Sequence, residues 1–525
     1  MSRISVLRFF ILAGCMLISD VITAQVPGVV QAEVDFSDYI RDWDGFGVNY
    51  VETSQTYDYA KYAQDYGGFS RLKERDKKEI IELTFGNDGL CPSIVKMFLD
   101  PLHQVEEKGS YDHETTTRNM RYFVKEGNRL TKERGQELSI ITTLYSPPAY
   151  ITKQKKLRGR DIDLSKLSCM ADYMTDWARF LIKEEHLPLK YISLHNEGES
   201  WRRWPADGGA DHLLDKDGHD YNVYMDPQMV VMSINSLRKS LDRAGLGNIG
   251  ITNGETTNWY RFGAWNYAKT ISRDKEALKN LSLITAHGFY VGGMGSPRWF
   301  GPHSNEGTEL LRKFRPDLHA WVTSTAWNVS EDKWAGNERH RQYVSNAAFL
   351  KEIHGNIYEA HCNAIIPWAL IQNASHWNKP DPNPGCAFRV YDDGTWEIRK
   401  GYYFYKQITR VGRPGMSVVH TSANDSEIAL IGFGSNKTEN PNAFVAVNWG
   451  KETFKMRIKI TGNKSNSYKA YRTSGSETYV AYETARKKVP EGENYKRLPD
   501  FKIEGGYLLY EIPPMSVTTF VENLF

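Results

Sequence analysis

The sequence predicts a (β/α)8 TIM barrel followed by a C-terminal antiparallel β-sandwich, and three observations lead there. Eight short runs rich in apolar and β-branched residues recur between about residues 43 and 411, with amphipathic helical stretches between them. After Arg413-Pro414-Gly415 the helical pattern gives way to runs of period 2 separated by Asn, Gly and Ser clusters. The third is size: a single core stops growing at about 300 residues, so a chain of 525 residues is expected to split into a larger and a smaller domain. With 40% hydrophobic and 25% charged side chains, disorder, collagen and coiled coil are excluded.

In chain order, Arg3 and Arg8 lead into the apolar run Phe9 to Ile18, which is too short to span a bilayer and reads as a leader. A signal peptide over residues 1–24, cut after Ala24, is preferred; Leu12-Ala13-Gly14-Cys15 also fits a lipoprotein box that would anchor the chain through Cys15. Either way the protein is expected to be secreted or periplasmic, with no transmembrane segment in the mature chain. Residues 25–42 hold the alternating stretch Val29 to Phe36, expected to add a strand to the sandwich.

The barrel is expected over residues 43–411, its strands being Gly45 to Asn49, Ile94 to Leu99, Leu138 to Leu144, Tyr191 to His195, Ile249 to Thr252, Leu283 to His287, Ala320 to Thr323 and Ala364 to Trp368. Arg75 to Phe85, Met170 to Lys183 and Met229 to Arg243 carry apolar residues at three- and four-residue intervals and read as helices between them. Residues 412–525 supply the sandwich, with Ile428 to Phe433, Ala443 to Val447 and Met456 to Ile460 as its clearest strands.

Lys and Arg number 66 against 64 Asp and Glu, a net charge of +2, which leaves no electrostatic footprint for nucleic acid. Aromatic residues reach 13%, and flat rings with polar edges suit a carbohydrate partner. Cys91, Cys169, Cys362 and Cys386 show neither a disulfide framework nor metal-ligand spacing, and read as small buried hydrophobes. Asp215 to Asp220 lacks the distal Glu of a calcium loop. No metal and no cofactor are expected.

Reactive side chains of such a barrel stand at the C-terminal ends of its strands. There the sequence offers Asn49, Tyr145 before Ser146-Pro147-Pro148, the run His195-Asn196-Glu197, His287 and Tyr290, Ser324 and Trp327, and Trp368. An amide directly before a carboxyl fits glycoside chemistry, since Asn196 can hold a sugar hydroxyl while Glu197 protonates the glycosidic oxygen. His287 and Tyr290 can donate hydrogen bonds to a sugar. Trp201, Trp204, Trp259, Trp327, Trp368 and Trp377 fall in or near expected βα loops, where a ring can stack on a sugar face.

Ser146-Pro147-Pro148, Asn196-Glu197, the aromatic strand ends and the closing Ile512-Pro513-Pro514-Met515-Ser516-Val517-Thr518-Thr519-Phe520 resemble glycoside hydrolase family 30 of clan A over most of the mature chain. The resemblance implies an early strand that belongs to the sandwich, then the barrel, then the remaining sandwich strands. It also implies Glu197 as general acid/base and Asn196 as its neighbouring substrate ligand. The family's nucleophile is a Glu at the end of the seventh strand, where this sequence has Ser324.

A second carboxylate is therefore sought elsewhere. Glu255 comes first, because Gly254 lets the turn after the fifth strand aim it inward; Glu52 and Glu199 follow, and Glu331 lies seven residues past Ser324. A pair about 5 Å apart gives retention and one roughly 6.5 to 9.5 Å apart gives inversion. The expected activity is hydrolysis of O-glycosidic bonds in a β-linked glycan, with catalytic Glu197 and Glu255 and with Asn49, Tyr145, Asn196, His287, Tyr290, Ser324, Trp327 and Trp368 binding substrate. The alternative is a carbohydrate-binding barrel that lost catalysis with its nucleophile.

Overall fold

The architecture was obtained as a computed structural model, which describes residues 28–50, 68–114, 117–157, 159–199, 222–289, 304–327, 329–330, 342–373, 385–480 and 491–524. The expected leader, residues 1–24, lies outside them. Strands are numbered β1 to β23 in chain order.

Eight strands build the barrel: β2 (Gly45–Asn49), β3 (Ile94–Leu99), β4 (Ser139–Leu144), β5 (Leu189–Ser193), β6 (Gly250–Thr252), β7 (Leu281–Ala286), β8 (Ala320–Val322) and β11 (Ala364–Ile365). They pair in parallel and close in the order β11-β2-β3-β4-β5-β6-β7-β8. Each overlaps one of the eight runs read from the sequence. Strands covered on both faces need apolar side chains throughout, and every residue of β2 and β3 is buried.

Between successive barrel strands lie helices, among them Glu74–Phe85, Arg118–Glu133, Leu167–Lys183, Pro227–Arg243, Glu306–Arg312 and Phe349–Tyr358. The start of Pro227–Arg243 is set by local chemistry. Asp226 accepts a hydrogen bond from the Met229 N–H at 2.8 Å, and Pro227 needs no donor partner in the first turn.

Side chains alternate along a strand. Ile94, Ile141, Leu283, Trp321, Ala364 and Ile366 form a separate buried cluster that fills the barrel near the strands' N-terminal ends. Two residues further along the same faces stand Lys96 and Thr143, and four residues beyond Leu283 stands His287. One end of the barrel is thus apolar filling and the other a polar floor.

Nine strands form a second closed sheet. β1 (Val29–Asp42) joins β15 (Ser417–Ala423), β16 (Ile428–Gly434), β17 (Ala443–Asn448), β18 (Phe454–Thr461), β19 (Ser467–Ser474), β21 (Lys496–Glu504), β22 (Tyr507–Ile512) and β23 (Ser516–Glu522). All pairs are antiparallel except β1 with β18. In β1, residues 29–36 alternate between half-buried and buried, and Val30, Ala32, Val34 and Phe36 pack with Phe444, Ile458 and Phe520 inside the sheet.

The opposite face of β15 to β17 rests on the barrel. Val418, Ile431, Phe433 and Val445 belong to the barrel's own core, and Trp43 bridges the two, its ring 4.8 Å from Phe46 and 5.2 Å from Phe433. Two small three-stranded sheets complete the described chain: β9 (Val329–Ser330), β10 (Gln342–Ser345) and β20 (Glu477–Val480), and β12 (Ile371–Gln372), β13 (Phe388–Val390) and β14 (Trp396–Ile398). The four cysteines among the described residues are free, and all but Cys169 are buried.

Candidate active site

Past the ends of β5 and β6 the backbone stays zippered. The Glu255 N–H donates to the His195 carbonyl at 2.9 Å, and the Glu197 N–H donates to the Glu255 carbonyl at 2.7 Å. This brings the two glutamates of adjacent strands together. Glu197 adopts a left-handed conformation, φ 47°, which costs a non-glycine residue about 1–2 kcal/mol and is concentrated at functional sites. Gly254, φ +80°, is required where it stands, because a Cβ there would lie 2.2 Å from Cδ2 of His195.

The side chains converge on His287. Its Nδ1 lies 3.1 Å from Oε1 of Glu197 and its Nε2 lies 3.1 Å from Oε2 of Glu255. Burial opposes a charged ring, but the two carboxylates prevail and raise its pKa; protonated on both nitrogens, the ring would donate to both.

Glu255 is fully buried and saturated with partners: Thr143 Oγ1 donates to Oε1 at 2.6 Å, and the Lys96 ammonium donates to Oε2 beside His287. Burial alone would push this carboxyl up, yet Lys96 and His287 hold it down at about 2. Lys96 is itself completely buried, and burial lowers its pKa against the pull of Glu255. Lys96, Glu255, His287 and Glu197 form one connected chain of ionisable side chains across the barrel mouth.

His195, beneath the cluster, is its neutral counterpart. Burial pushes it down to about 4, and its Nδ1 accepts the Gly198 N–H at 3.1 Å. Asn196 donates through Nδ2 to Oδ1 of Asn222 at 3.0 Å, and its buried Oδ1 has no protein partner among the described residues. Asn49 likewise donates to the Thr323 carbonyl, leaving its own Oδ1 without one. Tyr145 and Trp368 stand against Phe98, at 4.5 and 6.2 Å, and the Lys96 ammonium lies 5.9 Å from the Tyr145 ring.

Three of the expected site residues are buried. Glu255, expected to react with substrate, has no exposed surface here and both of its oxygens are engaged. Trp327 turns away from the carboxylates and is wholly buried, its ring 6.0 Å from Phe349 and 4.7 Å from Tyr405. Trp259 is also buried, its indole N–H donating to Asn356. An aromatic ring after a strand packs inward as readily as it faces a ligand.

Ser324 follows the end of β8, buried, its carbonyl accepting the Gly288 N–H at 2.7 Å. Glu199 is turned to Arg261 and the Thr257 N–H. Tyr290, Glu52, Glu331, Trp201, Trp204, Trp377 and the Asp215 to Asp220 run lie outside the described residues.

Lys96 and Thr143 are the site residues that sequence reading missed, and His195 was read only as the strand end before Asn196. Lys96 carried a signal: a lone lysine inside Ile94-Val95-Lys96-Met97-Phe98-Leu99 is a charge in a strand buried on both faces. Among the described residues no three His, Cys, Asp or Glu side chains are grouped as metal ligands.

The fold is shared with solved structures of glycoside hydrolase family 30 enzymes. Solved structures similar to it include a family 30 endoxylanase from Clostridium papyrosolvens C71, 16% identical with TM-score 0.61, matched over 94% of this chain and 100% of that one. A conserved exported protein from Bacteroides fragilis is 14% identical with TM-score 0.66 over 93% and 99%. The endo-β1,6-glucanase BT3312 is 15% identical with TM-score 0.60 over 94% and 93%. No family model matches the chain, and comparison with curated proteins gave no match.

Proposed function

We propose that the protein is a secreted glycoside hydrolase cleaving O-glycosidic bonds of a β-linked glycan, with Glu197 as its acid/base group. One observation carries this reading. Among the described carboxylates at the barrel mouth, Glu197 alone keeps an exposed edge, its side chain 13% exposed against 0% for Glu255 and 1% for Glu199. It sits beside an imidazolium, so the Glu197–His287 pair stores one proton. Nδ1 of His287 supplies it to the carboxyl, and the carboxyl passes it to the leaving glycosidic oxygen and recovers one from the attacking water.

Glu255 and Lys96 act through His287 and do not touch substrate. They are positioning residues that fix the charge and tilt of the ring. Asn49 and Asn196 hold buried amide oxygens without a partner among the described residues, the acceptors nearest to hand for sugar hydroxyls that displace the groups above them, and Tyr145 and Trp368 supply aromatic surface.

The test is release of reducing sugar from a panel that includes xylan and β-1,6-glucan, the polymers suggested by the neighbours' activities. Wild type is expected to hydrolyse at least one member. Glu197→Gln should lose at least about a thousandfold in kcat, roughly 4 kcal/mol of transition-state stabilisation, while sugar binding stays within a few-fold. Binding without hydrolysis in the wild type would replace this reading by a sugar-binding barrel.

A further inference from the structure

At the other end of the barrel three guanidinium groups lie close together without a counter-ion among the described residues. Arg134 follows helix Arg118–Glu133, and Arg410 and Arg413 follow helix Lys400–Thr409. All three line a cleft of about 280 Å3 between the N-terminal ends of β3 and β4 and the rim of the closed sheet, where Ala443 of β17 pairs with Val521 of β23.

Their hydrogen bonds go to neutral groups. Arg410 Nη1 donates to the Asn87 carbonyl and to Sγ of Cys91, each at 2.7 Å; Arg413 Nη1 donates to the Cys91 carbonyl at 2.9 Å. Arg413 and Arg134 both turn an Nη2 to the same acceptor, Oε1 of Gln136. Buried Nε and Nη1 of Arg134 have no partner, and among the described residues none of the three arginines makes an ion pair.

Such crowding is unfavourable. Burial first, then the fields of Arg410 and Arg134, push the Arg413 guanidinium down to about 10 against the opposing influence of Cys91. On Arg134 the one opposing carboxylate is Glu82, which makes no hydrogen bond to it. Like charges held together around a water-accessible cleft, with donors pointing at no acceptor, are the arrangement that bidentate recognition of an oxyanion requires.

We propose that this cleft is an anion site that takes a compact dianionic oxyanion, phosphate or sulfate, free or as a monoester. The ligand would complete the hydrogen bonding of Arg134, neutralise the trio and tie the barrel to the closed sheet. The cleft lies on the side of the barrel opposite Glu197, so the inference stands or falls independently of the proposed hydrolysis.

The experiment is titration calorimetry of the full chain with inorganic phosphate, inorganic sulfate and glucose 6-phosphate, alongside thermal unfolding in the same ligands and in chloride of matched ionic strength. Saturable heat is expected with at least one dianion, together with a Tm rise of about 2 °C or more that chloride does not reproduce. Binding by inorganic ions alone identifies a free-ion site, and binding by the sugar phosphate as well identifies a monoester site. Arg134→Gln and Arg413→Gln should each weaken binding at least about tenfold, and Arg134→Lys, which keeps the charge but not the fork, should weaken it too. No saturable heat and no Tm rise beyond chloride would overturn the proposal, as would full-affinity binding by both glutamine variants.

Discussion

A histidine between two carboxylates holds its proton only while both anions are present, and that dependence can be measured. Glu255→Gln removes one anion and leaves Lys96 uncompensated beside the ring, and both changes lower the pKa of His287. The alkaline limb of the kcat profile should therefore move down by about one pH unit or more, with a tenfold to hundredfold loss of kcat at the optimum. An unmoved limb would show that Glu255 is only structural. Breaking the buried Lys96–Glu255 pair from one side should cost about 3–5 kcal/mol in denaturant unfolding, and replacing both partners by apolar residues should cost much less. Ser324→Ala, by contrast, should be tolerated, since the backbone carbonyl makes its observed hydrogen bond.

The same groups set stability against pH. His195 takes up a proton near 4 when folded and near 6.5 when unfolded, so stability falls as pH drops through that window, by up to about 3 kcal/mol. Glu255, held at about 2 against an ordinary 4.5, contributes stability that is present above 4.5 and lost as pH falls toward 2. His287, raised in the folded state, works in the opposite sense: its contribution is full below 6.5 and is lost as pH climbs through its folded pKa. Denaturation midpoints should fall steadily from pH 6.5 to 4. At this scale the sequence revealed Glu197, Asn196, Glu255 and His287 by their places at strand ends. It hid that Glu255, aimed inward as expected, is enclosed by Lys96, Thr143 and His287, because register and neighbours decide whether a strand-end carboxylate meets solvent or a buried lysine.

Two elements show how local sequence holds the larger design. Gly254 lets the end of β6 pass over the His195 ring; Gly254→Ala meets both the positive φ and a contact of 2.2 Å, and should lose about 2 kcal/mol or more along with most of the activity. β1 supplies one wall of the closed sheet, with Val34 fully buried inside it. Val34→Asp places an unpaired charge there and should lower Tm by several degrees, whereas Lys459→Ala, which loses only an exposed ion pair with Glu33, should change it little. The barrel strands were readable because burial on both faces demands continuous apolar runs. The small sheets of β9, β10 and β20 and of β12 to β14 were not, because strands of two to four residues are too short to display a period.

Barrel and closed sheet share one hydrophobic core through Trp43, Val418, Ile431, Phe433 and Val445, so calorimetry should record a single unfolding transition with matching calorimetric and van't Hoff enthalpies. Two resolved transitions would show that this interface is too weak to couple them. The change of pattern near Pro414 marked where barrel gives way to sheet, but nothing in the sequence foretold that three arginines would meet across that junction. The placement of β1 also imposes an order in time. Gln31 is hydrogen-bonded to Asn424, 393 residues later in the chain, and synthesis runs at about 5–20 residues per second. Once made, β1 therefore waits roughly 20 to 80 s for its first partner, and through that interval Val30, Val34 and Phe36 stay uncovered while the whole barrel is produced. A cell making this protein has to shield its first strand until β15 emerges, after the whole barrel has been made.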